Sequence, residues 1–113
     1  MDSESKVFYQ ISTGTKGNGQ LLDPHIAGFA SLSKTGDFYY VHLMMLPGLT
    51  FYLSKNKGPE TYTVFSKFVG NEETHRLQNP VGQGRLTPDL KSHLEIRFPL
   101  LARPVFMSLF PKA

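Results

Sequence analysis

The residues best suited to a chemical role are the aromatic and cationic side chains of one short stretch, Ser33–Leu43 (SKTGDFYYVHL). A turn that carries Lys34 leads directly into a strand with aromatic rings on both faces. A strand can bury only one face in a single core, so the rings on the other face need a partner. That partner is the bases of a single-stranded nucleic acid, another subunit, or a second layer of the same domain.

Alternation along three consecutive strands separates a core face from a free face. Val41 and Leu43 are assigned to the core, which leaves Phe38 and Tyr40 facing away from it. By the same reasoning Tyr52 faces outward in the next strand. The candidate stacking residues are Tyr40 and Tyr52, followed by Phe38 and Phe65. The candidate phosphate-binding residues, at the edges of the same surface, are Lys34, Lys55, Lys57, Lys67 and Arg97.

Flat rings stack on unpaired bases, and lysines follow the phosphates, so this combination favours a single-stranded nucleic acid as the partner. The alternative for each ring is a place in the core or in a subunit interface. The alternative for each lysine is an ordinary solvated turn.

Catalytic and metal-binding patterns are not found in the sequence. The four histidines are scattered and the chain has no cysteine, so we expect no metal site. The segment Gly14–Gly19 lacks the spacing of a phosphate-binding loop and reads as a flexible loop. We therefore expect a protein that is not an enzyme and has no cofactor.

Composition indicates one folded domain, residues 1–113, with a formal net charge of +3. A mild positive charge is compatible with attraction to phosphate. No apolar run approaches the roughly 18 residues needed to cross a bilayer, and the polar N-terminus does not resemble a signal peptide. We expect a cytoplasmic protein without a membrane partner.

Short apolar runs separated by Gly and Pro predict an all-β fold, a small OB-like barrel of about six or seven short antiparallel strands. Residues 26–33 and 38–45 are expected to form a hairpin. Residues 70–92 differ from the rest. Asn71 and two glutamates predict a short helix that reaches Leu77, and residues 81–88 read as a loop.

The stretch Ser33–Leu43 resembles the turn and aromatic strand of small single-stranded-DNA-binding proteins of phages and plasmids. The similarity covers about a tenth of the chain. It implies an OB-type barrel, dimerisation and cooperative coating of single strands, as an accessory protein of a virus or plasmid.

The function expected from the sequence is non-catalytic, sequence-tolerant binding of single-stranded nucleic acid, with DNA favoured. Exposed sheet edges favour a homodimer or a higher homo-oligomer. The alternative is a small β-domain interaction protein that self-assembles, or that docks on and inhibits a partner protein. For that function, the apolar segment Phe106–Phe110 is a strand that could be donated to a neighbour.

Overall fold

The chain forms eight antiparallel strands that close into one barrel. A computed structural model describes residues 7–58 and 60–111. Each strand pairs with the next along the chain, and β8 pairs with β1. The strands are β1 Phe8–Gly17, β2 Gln20–Leu32, β3 Phe38–Leu43, β4 Phe51–Lys55, β5 Thr61–Gly70, β6 His75–Thr87, β7 Leu90–Arg97 and β8 Val105–Ser108.

The predicted all-β barrel is confirmed, with eight strands instead of six or seven. Its strand order is up-and-down, which differs from the Greek-key order of an OB-fold. The predicted β2–β3 hairpin is also present. In the described ranges, no helix has the length and apolar character needed to cross a membrane.

The helix and loop predicted within residues 70–92 are wrong, because this segment completes a long hairpin. The Asn71 side chain does accept free backbone amides, as expected, but they belong to a turn. Its Oδ1 accepts hydrogen bonds of 2.9 Å from the N–H groups of both Glu73 and Thr74. The chain then reverses into β6, so the same polar signal that starts a helix here closes a hairpin.

The barrel interior is filled with apolar side chains from every strand. Val41 and Leu43 of β3 and Leu53 of β4 lie in this core, as alternation predicts. Gly82 and Gly84 are buried on the inward side of β6, so Gln83 and Arg85 between and beside them face outward.

Two long hairpins extend beyond the barrel wall and bend back over it. Residues 13–25 of β1 and β2 pair only with each other, and we call them the β1–β2 flap. Residues 66–80 of β5 and β6 likewise pair only with each other and form the β5–β6 flap. At the bends, Asp23 and Asn79 adopt positive φ angles of 52° and 62°, each directly before a proline. Asp and Asn tolerate this left-handed conformation better than most other residues.

The two halves of the barrel therefore share one plan. In each half the first two strands have 10 and 13 residues. Each bend also begins the same short pattern, Asx-Pro followed four residues later by glycine, at Asp23–Gly28 and Asn79–Gly84. As a result the two flaps lie on different sides of the barrel.

We predict that Gly28→Ala destabilises the barrel. A Cβ atom at this position would meet the backbone carbonyl oxygen of His42 on the paired strand, which cannot move without breaking the ladder. Overpacking of this kind costs about 1–3 kcal/mol, measurable as a lower urea midpoint. Gly58→Ala is the control, because its Cβ would meet only the Thr61 Oγ1 atom, at an ordinary 3.8 Å. Equal midpoints for both variants would contradict this account.

Candidate functional site

The aromatic residues predicted to stack on bases come together on the outer wall of β3 and β4. Tyr40 pairs with Tyr52 across the two strands, and Phe38 lies two residues before Tyr40 on the same face. The ring centroids are 5.0 Å apart for Phe38 and Tyr40, 6.1 Å for Phe38 and Tyr52, and 5.9 Å for the two tyrosines. All three pairs meet edge to face, an arrangement that aromatic rings favour.

The β5–β6 flap covers this aromatic cluster. Phe68 and His75 bring their rings to 5.6 Å and 4.8 Å from Phe38, which is left only 1% exposed. The Phe38 ring therefore has no free face on which a base could stack. Tyr52 is half-buried with Phe68 at 5.4 Å, and Phe65 is half-buried at the bend, paired with Tyr52 and Pro80.

Glu72, at the tip of the β5–β6 flap, fastens the flap to β3. Its carboxylate accepts a 2.6 Å hydrogen bond from the Tyr40 hydroxyl and another of 2.6 Å from the Lys34 backbone N–H. Hydrogen bonds to an ionised acceptor are short and strong. Two residues predicted to bind nucleic acid, Lys34 and Tyr40, are thus tied to the protein's own flap.

These contacts change the ionisation of both side chains. Burial and the hydrogen bond to Glu72 raise the pKa of Tyr40 to about 12. The Tyr40 hydroxyl and the Lys34 N–H lower the pKa of Glu72 below its usual range. The carboxylate form of Glu72 therefore keeps the flap closed.

The outer wall of β5, β6 and β7 carries a second site, which the sequence reading did not identify. A groove of about 440 Å³ is lined by Lys16, Arg85 and Arg97, together with the hydrogen-bonding side chains of Asn56 and Gln83. Strand pairing places Arg85 opposite Glu95 and Gln83 opposite Arg97. We call this the cationic groove.

Glu95 holds two of the groove's three cations in place. The carboxylate is only 6% exposed, with Lys16 Nζ at 2.9 Å and Arg97 Nη2 at 2.6 Å. Burial by itself raises the pKa of Glu95, but the ion pairs with Lys16 and Arg97 outweigh it and lower that pKa. Asp89 also approaches Lys16, at 3.4 Å, so the groove keeps a net positive charge centred on Arg85.

Of the predicted cations, only Arg97 lies in this groove. Lys55 and Lys57 are exposed at the end of β4 and in the turn after it, and Lys67 is exposed on the β5–β6 flap. Lys16 and Arg85 were missed because both segments, rich in glycine, read as loops. The alternation of Gln83, Arg85 and Thr87 was the available signal for an outward polar strand face.

Comparisons of the chain with protein-family models, characterised proteins and solved structures gave no match. Within residues 7–58 and 60–111, no three His, Asp or Glu side chains form a group that could hold a metal ion. The chemistry of the site is therefore argued from its own geometry.

We predict that Glu72→Gln lowers the pKa of Tyr40 from about 12, because a neutral amide no longer disfavours the phenolate. An NMR titration of ring-labelled tyrosine measures this directly. Glu73→Gln, in the same turn, is the matched control and should leave Tyr40 unchanged. The Glu72 contact would be refuted by identical Tyr40 titrations in the two variants.

The β5–β6 flap should also loosen in acid. The pKa of Glu72 is lowered from 4.5 in the folded state, so its stabilising effect is complete above that value and is lost as the pH falls through the folded pKa. We expect protection from hydrogen exchange in residues 66–80 to drop between pH 6 and pH 3, roughly spanning that range. The Glu72→Gln variant should lack this response, and an equal drop in that variant would contradict the assignment.

Proposed function

We propose that this protein binds single-stranded nucleic acid, with DNA favoured, without catalysis and with little dependence on sequence. The observation that carries the proposal is the cationic groove, in which Arg85, Arg97 and Lys16 stand beside neutral hydrogen-bond donors on one wall. A cytoplasmic location and an accessory role in a virus or plasmid belong to the same proposal.

The type of cation favours phosphate as the ligand. A guanidinium group presents a planar set of donors that matches the oxygens of a phosphate. Arg85 and Arg97 lie on a diagonal of paired strands, a separation of about 7–8 Å between backbones. Phosphate contacts position a strand but carry no sequence information, which agrees with sequence-tolerant binding.

The aromatic cluster takes a secondary role in this proposal. Phe38 is covered, Tyr40 is bonded to Glu72, and Tyr52 packs against Phe68. Stacking on these rings requires the β5–β6 flap to move, whereas the groove needs no rearrangement. The phosphate contacts therefore precede any stacking on bases.

We predict that Arg85→Ala combined with Arg97→Ala weakens binding to labelled poly-dT by about tenfold or more, since each lost phosphate contact removes a favourable counterion-release term. Fluorescence anisotropy at roughly 50 mM and 200 mM salt should also show a shallower salt dependence, by about 0.7 per lost contact. Lys16 remains beside Glu95 in this variant, which limits the damage to the fold.

Arg76→Ala is the charge-matched control, because Arg76 is exposed on the β5–β6 flap, away from the groove. Tyr40→Phe combined with Tyr52→Ala tests the aromatic cluster and should change affinity about twofold or less if phosphates dominate. A tenfold loss in the tyrosine variant, with none in the arginine variant, would reverse the two roles. Absence of any salt-dependent binding by the native protein would remove the proposal.

A further inference from the structure

The outer wall of β1, β2 and the end of β3 is uncovered and apolar. Phe8, Ile26, Phe29 and Met44 are 42%, 53%, 39% and 62% exposed, and we call these four residues the apolar wall. Phe8 and Phe29 already touch edge to face, with centroids 6.2 Å apart. The N–H of Met44 donates to the Ala27 carbonyl oxygen at 2.8 Å, which places Met44 beside β2.

The polar positions of this wall are neutral. Gln10 and His42 stand on either side of Phe29 in the strand pairing, and Ser31 is opposite both Phe8 and Tyr40. Among the described outward positions of these strands, none is an aspartate, glutamate, lysine or arginine. The wall therefore offers apolar contact and neutral hydrogen-bonding groups only.

We propose that the apolar wall is the contact surface of a homodimer, with a second copy of this chain docked face to face across a two-fold axis. In such a contact the same patch meets itself and must be self-complementary. On a chain of net charge +3, an uncharged wall meets its own copy without repulsion.

The other surfaces of the barrel are unsuited to that contact. The walls of β3–β4 and β7–β8 lie under the two flaps, as the contacts of Phe68 with Phe38 and of Lys16 with Glu95 record. The wall of β5 to β7 would bring Arg85 and Arg97 against the same arginines of the partner. A different protein partner is usually steered by complementary charges, and the apolar wall has none to offer.

This contact replaces both modes of association expected from the sequence. Barrel closure leaves no free strand edge for edge-to-edge pairing. The C-terminal strand, β8, is already paired with β7 and β1 and is not available to a neighbour. A dimer must therefore form through faces.

The expected dimer is weak. Stable interfaces bury about 800 Å² on each partner. The apolar wall is narrower, because it spans three strands spaced about 4.8 Å apart. We expect dissociation at roughly micromolar concentrations.

Sedimentation equilibrium of the full chain over a range of concentrations tests the proposal. Phe29→Glu should weaken self-association at least tenfold, since it buries a charge in the contact. Leu100→Glu is the matched control: Leu100 is 97% exposed but lies outside the wall, so the dimer should persist. Circular dichroism confirms that both exposed-site variants are folded.

A native chain that is monomeric at several hundred micromolar, or a dimer that Leu100→Glu breaks while Phe29→Glu does not, would overturn the proposal. Self-association should respond little to salt, whereas poly-dT binding should respond steeply. The two proposals can therefore fail separately.

A second measurement requires no disruption of the interface. The chain has no cysteine, so Gln10→Cys and Gln83→Cys each introduce a single attachment point for a nitroxide label. Gln10 borders the apolar wall and Gln83 lies in the cationic groove on another wall. Pulsed EPR should give a shorter distance between protomers for the Gln10 label, and a shorter distance for the Gln83 label would exclude this surface.

Discussion

The seam between β1 and β8 is the constraint on which the rest of the structure depends. It consists of two residue pairs, Ile11 with Met107 and Ser12 with Phe106. The ion pair from Lys16 on the β1–β2 flap to Glu95 on β7 crosses β8 and reinforces this short seam. An open seam would present two unpaired strand edges to other chains, and unpaired edges promote aggregation. The flap is therefore part of barrel closure.

The two halves use one backbone plan with opposite charges. The β5–β6 flap brings a carboxylate, Glu72, to hydrogen-bond donors on and before β3, whereas the β1–β2 flap brings an amine, Lys16, to carboxylates on and before β7. Each flap also covers a strand that buries an outward-facing aromatic residue, Phe38 under one and Phe106 under the other. Two walls remain free, one apolar and one cationic. Because they are separate, self-association and phosphate binding do not compete for the same residues.

Local pattern was enough to predict the strands β3 and β4 and the shared face of Phe38, Tyr40 and Tyr52, because alternation acts over neighbouring residues. It could not show that Phe38 is buried, since the covering rings arrive from a flap 30 or more residues away in sequence. Residues 70–92 were misassigned for a different reason: an asparagine followed by acids caps a turn as well as a helix. The groove required the register of β6 against β7, which depends on a strand that its glycines and prolines concealed.

The balance of energies decides between the two surfaces as the main binding site. Lifting the β5–β6 flap uncovers Phe38, and exposing a phenylalanine side chain costs about 1.5–3 kcal/mol. Stacking one base on an aromatic ring returns roughly 1–3 kcal/mol. A single stacked base therefore does not offset the uncovering of Phe38 together with the loss of the Glu72 hydrogen bonds. Only a strand that stacks on more than one ring can hold the flap open, whereas the cationic groove is accessible with the flap closed.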